Sequence, residues 1–411
     1  MNPRGKYHFS FLNQILPNFI VNLRRMMKLP VYLDYNATTP CDPQVLEAML
    51  PWFTEKFGNA ASRSHLFGWE AAEAVNIGRE QIASLIGASP KEIIFTSGAT
   101  ESDNLAIKGV FEMYAAKGNH IITVQTEHKA VLDSCDHIEK MGGQVTYLSV
   151  DKNGLINTEE LEAAITGKTI LITVMYANNE TGLIQPIPEI ARIAKKHGII
   201  FFTDATQALG KIPVNVLEDG MDLMAMSAHK IYGPKGVGAL YVRRKDPRVR
   251  LTAQMNGGNH EAGFRSGTLN VPGIIGFGKA CELASRLQPA ESDFISTLRN
   301  HLEDSLLSLP GSIRNGPENG RLPQVSNLQF NNCLSSDLMI SLNKYIAIAS
   351  GSACSSASPE PSHVLIAMGL SEKEAHHSLR FSLGRFTTKE ELDFAIPKIR
   401  QEVERLNRVY S

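Results

Sequence analysis

The sequence predicts an α/β fold: a large domain on a mainly parallel sheet, with a smaller α+β domain after it. Three observations carry that reading. Short apolar runs read as buried strands, stretches of helical periodicity lie between them, and the texture changes after about residue 280. The runs are Glu92–Phe95, His120–Val124, Thr169–Val174, Ile199–Thr203 and Gly238–Val242. Between the third and fourth, Ile187, Ile190, Ala191 and Ala194 share one face of a helix over 187–196. Such alternation opens a binding crevice at the carboxyl ends of the strands. Beyond residue 280 come a long helical stretch, a Gly/Pro/Asn-rich patch over Pro310–Pro323 and then short elements.

Composition narrows the function. The 411 residues, 43% hydrophobic and 20% charged, exclude a disordered or fibrous protein and allow two or three domains. Forty-one Lys and Arg against 42 Asp and Glu leave a charge of −1, so no electrostatic footprint points to nucleic acid or an anionic membrane. No apolar run has the roughly 18–20 residues that span a bilayer. Five scattered cysteines without a CxxC pair fit neither a disulfide framework nor a zinc site, and predict a reducing, cytoplasmic setting. Residues 1–29 hold five basic and no acidic residues. Targeting segment, secretory signal and over-extended start compete there; Pro17, the single Ser10 and the interrupting Asn and Gln residues favour a start at Met27.

The chemistry clusters where strands end. Asp204 closes the run Ile199–Thr203, and Lys230 follows 26 residues later in Ser227-Ala-His-Lys230. A carboxylate to keep a pyridinium nitrogen protonated and an amine to form a Schiff base suit pyridoxal phosphate. Either residue alone also fits an N-cap Asp or a surface Lys. Upstream, Gly98, Ala99 and Thr100 open a helix after the Ile93–Phe95 strand, where free backbone N–H groups and the Thr hydroxyl make a phosphate cup. His128, after another strand, can stack on a ring or shuttle a proton, and equally can be a structural hydrogen-bonder. Gly273–Ala280 nearly spells a P-loop, but Ala280 replaces the magnesium-binding hydroxyl, and its glycines suit helix packing. His376 and His377 lack a third ligand at metal spacing, so no metal site is expected.

Taken together, Leu33-Asp-Tyr-Asn-Ala-Thr-Thr-Pro40, Ser97-Gly-Ala-Thr-Glu-Ser102, Glu127-His-Lys129, Asn178-Asn-Glu-Thr-Gly182, Asp204-Ala-Thr-Gln207, Ser227–Gly236, Arg265-Ser-Gly-Thr268, Ser350-Gly-Ser-Ala-Cys354 and Arg380–Arg385 resemble the cysteine desulfurases of the NifS/IscS type. The resemblance implies the aspartate-aminotransferase-like fold of pyridoxal-phosphate-dependent transferases. It divides the chain into a 1–29 extension, a large cofactor-binding domain over 42–285, and a small domain of 30–41 plus 286–411. It implies that Lys230 forms the Schiff base, Asp204 pairs with the pyridinium nitrogen, and His128 stacks on the ring. Ala99, Thr100, Ser227 and His229 would bind the phosphate, while Gln207 and Asn179 would lie beside the phenolic oxygen and the substrate. Thr268 would reach the phosphate of a neighbouring subunit, which implies a homodimer. Arg380 would grip the carboxylate of L-cysteine through its fork.

Cys354, amid small polar residues that suit an exposed loop, would be the nucleophile that takes the substrate sulfur as a persulfide and leaves alanine. His128 is the candidate acceptor of its thiol proton. An iron–sulfur scaffold or another acceptor protein would then receive the sulfur for cluster or thio-cofactor assembly. The chain ends soon after the Arg385–Glu391 segment, where many family members carry a docking tail, so scaffold docking stays open. Asn259 and Ala60 depart from the family pattern without touching the assigned chemistry. The alternatives are a selenocysteine lyase or β-eliminating lyase of the same fold, and a catalytically weak docking subunit, which the presence of Lys230, Asp204 and Arg380 disfavours.

Overall fold

The structure, a computed structural model, describes residues 27–350 and 360–410. The expectations for the leader over residues 1–26 and for the Cys354 loop fall outside these residues.

A seven-stranded sheet organises the first two thirds of the chain, in the order β2 (Ile93–Thr96), β8 (Gly238–Val242), β7 (Leu223–Ser227), β6 (Ile200–Asp204), β5 (Thr169–Thr173), β3 (His120–Val124) and β4 (Gln144–Leu148). β7, β6, β5, β3 and β4 pair in parallel, while β8 runs antiparallel to both β7 and β2. The mainly parallel expectation therefore holds, with one reversed strand. Alternate residues of each strand feed two cores. Ile122, Phe201, Met224 and Tyr241 pack with Ile82, Ile190 and Phe277 on one side. Ile121, Phe202, Ala225 and Leu240 pack with Leu105, Val131 and Ile138 on the other. Burial on both faces explains why these strands read as unbroken apolar runs.

The long helix spans Val271–Leu307, starting nine residues before the change of texture seen in the sequence. Asn270 caps it by accepting from the Gly273 N–H, and it passes unbroken through residues 285 and 286. The apparent P-loop is its packing seam: a Cβ on Gly278 would lie 2.6 Å from Gly78 Cα in the Leu66–Leu85 helix.

A third core gathers Val31 and Leu33 with Leu298, Leu302, Phe330, Phe381 and Ile399. It is built on β9 (Ser312–Arg314), β10 (Val325–Phe330) and β12 (Ser378–Ser382), paired in the order β12-β10-β9, and on the Lys389–Tyr410 helix. β1 (Val31–Tyr32) pairs in parallel with β11 (Ile346–Ala347). The Asp34 backbone bridges to Ser382, so the segment after β1 is led across to the open ends of the large sheet.

Candidate active site

A cavity of about 420 Å³ lies at the carboxyl ends of β2, β5, β6 and β7. Ala99, Thr100, His128, Asn179 and Asp204 line it, as do Gln207, Ser227, His229, Lys230 and Arg380. Ten of the twelve residues singled out in the sequence thus meet in one place. Thr268 does not: it is exposed and outside the cavity of its own chain. Cys354 lies outside the described residues.

Each element delivers its side chain by a local rule. β2 ends at Thr96, and Gly98 then starts the Ala99–Met113 helix, whose first N–H groups lack intrahelical acceptors. Gly238 approaches so closely that a Cβ on it would lie 2.6 Å from Gly98 Cα, so this turn is clamped between two glycines. Glu101 fastens it from the other side. Its carboxylate accepts from the Ser97 N–H at 2.8 Å and from Arg265 Nε at 2.7 Å, and these donors hold it below the usual carboxylate range against the cost of its burial.

Asp204 is the last residue of β6, and its Oδ1 accepts from the Thr206 N–H at 2.9 Å. Lys230 closes a single helical turn after β7, and its amine donates to the carbonyls of Asn36 at 2.5 Å and Ala37 at 2.8 Å. The Asn36 carbonyl also accepts from Gln207 Nε2 at 2.9 Å. His229 Nδ1 lies 3.1 Å from Thr38 Oγ1, and burial first, then Lys230 and Lys235, push its pKa down to about 4. It is neutral at neutral pH. His128 caps the Lys129–Lys140 helix, its Nδ1 accepting from the Ala130 N–H at 3.2 Å.

The far wall holds Arg380 on β12, 1% exposed. Its Nη2 donates to Asp34 Oδ1 at 2.7 Å and its Nη1 to the Asn179 carbonyl at 3.1 Å. Pairing on both arms orients the guanidinium plane.

Sequence reasoning gave several members no role. Glu127, fully buried, accepts from the Met175 N–H at 2.6 Å; burial first and then Asp204 raise its pKa to about 8. Ser362 Oγ donates to Glu180 Oε2 at 2.6 Å, and His363 Nε2 donates to the Glu127 carbonyl at 2.9 Å. These two bonds anchor the chain directly after the Cys354 segment to the cavity wall. Asp103, wholly buried, has a carboxylate oxygen within 4.8 Å of one of Asp204. No spacing rule marks these residues, because polarity along a sequence does not disclose burial.

The donor set fits pyridoxal phosphate. A helix N-terminus, Ser227 and His229 suit a phosphate, Asp204 suits a protonated ring nitrogen, and the Lys230 amine stands in the same cavity. Thr206 Oγ1, also in the cavity wall, is buried with no partner.

Comparison with known proteins agrees with this geometry. The family model for aminotransferase class-V matches residues 31–394. The cysteine desulfurase IscS of Anaeromyxobacter dehalogenans (strain 2CP-C) is 55% identical over 386 residues, covering 92% of this chain and 94% of that protein. IscS of Escherichia coli O139:H28 is 53% identical over 382 residues, with the same coverage. Among solved structures, a NifS-like protein superposes with a TM-score of 0.86 at 38% identity, covering 92% of this chain and all of that one. SspA in complex with cysteine follows at 0.77 and 38%, covering 87% of this chain and all of that one. The chain belongs to the class-V aminotransferase family, as a pyridoxal-phosphate enzyme of its NifS/IscS-type cysteine desulfurase branch.

Proposed function

We propose that this protein is a cysteine desulfurase that converts L-cysteine to L-alanine and takes the sulfur onto Cys354 as a persulfide. The observation that carries the reading is the meeting, in one cavity, of Lys230, Asp204, the Ala99 helix start and the buried Arg380 fork. Pyridoxal phosphate, when bound, supplies an electron sink for the Cα of the amino acid joined to it. The chain's own residues do the rest. The helix start, Ser227 and His229 hold the phosphate, and Asp204 holds the ring nitrogen's proton. Arg380 turns from its Asn179 carbonyl toward the substrate carboxylate, and Asn179 and Gln207 orient the substrate end. The Lys230 amine, standing in the same cavity, would serve as the base beside the substrate Cα. The Cys354 thiolate takes the sulfur, with His128 as acceptor of the thiol proton.

The working form in this proposal is a homodimer. Leu50, Phe53, Phe57, Leu66, Phe67 and Trp69 form a run of exposed apolar side chains, 66% exposed at Phe57. Isolated exposed hydrophobes are ordinary, but a concentration of this kind supports an interface. The exposed Thr268, tied through Arg265 to the phosphate helix of its own subunit, is free to serve the site of another. The sulfur then passes to an acceptor protein for iron–sulfur cluster or thio-cofactor assembly. A reducing cytoplasm supports such thiol chemistry: Cys41, Cys135, Cys281 and Cys333 are all thiols, and no described helix is long and apolar enough to cross a membrane. The domain division of 30–41 plus 286–411 against 42–285 is supported by the separate core around Val31, Leu33 and Leu302.

The test is mass spectrometry of the Cys354 peptide after one turnover with L-cysteine. One added sulfur atom on that peptide, labile to reductant, is the expected result. Alanine formed with no sulfur on the protein would move the reading to a lyase.

A further inference from the structure

Asp103 sits on the Ala99–Met113 helix, one turn beyond the phosphate-binding start, with its side chain turned inward. It is 0% exposed, and neither carboxylate oxygen has a hydrogen-bond partner. One of its oxygens, a carboxylate oxygen of Asp204 and a ring nitrogen of His128 all lie within 4.8 Å of one another. Glu127 is the other carboxyl that faces it. An ionised carboxylate at this spot would carry its desolvation cost with no hydrogen bond made to offset it, and the repulsion of neighbouring acids besides. A neutral acid carries a donor, and the Asp204 carboxylate is a near acceptor.

We infer that Asp103 is a positioning residue for the cofactor: it keeps its proton in the working enzyme and turns its O–H to the carboxylate of Asp204. The bond fixes the orientation of Asp204 and stabilises its ionised form, the form that pairs with the ring nitrogen. Burial first, then Asp204 and Glu127, push the Asp103 carboxyl well above the ordinary range, in keeping with this geometry. Asp103 itself touches no substrate. The inference rests on pyridoxal phosphate occupying the cavity.

Two readouts on the holoenzyme test it, neither of them activity. Infrared difference spectra of wild type minus Asp103→Asn at neutral pH should show the carbonyl stretch of a protonated carboxylic acid. The pH titration of the cofactor's visible band should be retained in Asp103→Asn, whose amide still donates. In Asp103→Leu it should move upward by about one unit, a tenfold change, because a weaker pairing at the ring nitrogen draws less charge from the Lys230 nitrogen. Absence of the carbonyl band overturns the inference. So does a titration that shifts equally in both variants or in neither. If Asp103→Leu does not fold, the infrared band and the Asp103→Asn titration decide. A wild-type protein that never takes up cofactor fails the cofactor reading instead, and the infrared band still reports on Asp103.

Discussion

Replacing Arg380 by Lys should separate substrate grip from every other function of the site. The guanidinium is 1% exposed, with one arm on Asp34 at 2.7 Å and the other on the Asn179 carbonyl at 3.1 Å. An ammonium keeps the charge but has one nitrogen, so it cannot stay on Asp34 and also present two parallel donors to a carboxylate. The variant therefore loses about one charge-assisted hydrogen bond to L-cysteine, roughly 1.5–3 kcal/mol. That corresponds to a fall of about ten- to a hundredfold in kcat/KM. A carboxylate is gripped equally before and during the reaction, so most of the loss should fall on KM. The assay is the initial rate of alanine formation against L-cysteine concentration, with the cofactor's visible absorbance as a control for an intact site. A variant within twofold of wild type in kcat/KM would show that Arg380 does not grip the substrate, and one that loses its cofactor band would show that Arg380 also holds the cofactor site together.

The other predictions concern stability and pH. Gly278→Val places a Cβ 2.6 Å from Gly78 Cα and 3.1 Å from its carbonyl oxygen, neither of which can swing aside; overpacking of this kind costs about 1–3 kcal/mol and should lower the Tm measured by calorimetry. Glu127 has its folded pKa raised from 4.5 to about 8, so between those values the folded apo-protein binds more protons than the unfolded chain. Its contribution to stability is therefore greatest below about pH 4.5, declines as pH rises, and levels off above about pH 8. Glu127→Gln, which keeps an acceptor for the Met175 N–H, should flatten that decline in apo-protein melts; an unchanged slope would contradict it.

How much of this was legible beforehand differs by element. β3, β5 and β6 are buried on both faces and rich in Ile, Phe and Thr, so composition alone marks them. β7 is buried as fully, but Leu223-Met-Ala-Met-Ser227 has no β-branched residue and gives no strand signal. β4, at the sheet edge, alternates polar and apolar residues over only four positions. Nothing in Gly238–Val242 tells its direction, since periodicity is blind to which way a strand runs. The long helix announces its start through Asn270 and Pro272, a cap and a first-turn proline that the Gly-rich stretch behind them obscured.

At the site, residues in strand-end motifs were visible because their chemistry is recognisable in any environment. Asp103 and His363 were not. Asp103 differs from a solvated helix carboxylate only in which way its helix turns, and the fold decides that. His363 reaches the cavity from a distant part of the chain, more than 100 residues from every other cavity residue but Arg380.

In the proposed reaction, sulfur leaves L-cysteine through Cys354 in a cofactor site built on Lys230 and Asp204. The most direct test is alanine formation from L-cysteine by the wild-type protein and by Cys354→Ala, each with its visible spectrum recorded. Alanine formation should collapse in the variant while the cofactor band persists. Full-rate alanine formation by Cys354→Ala, or a wild-type protein that takes up no pyridoxal phosphate, would contradict that route.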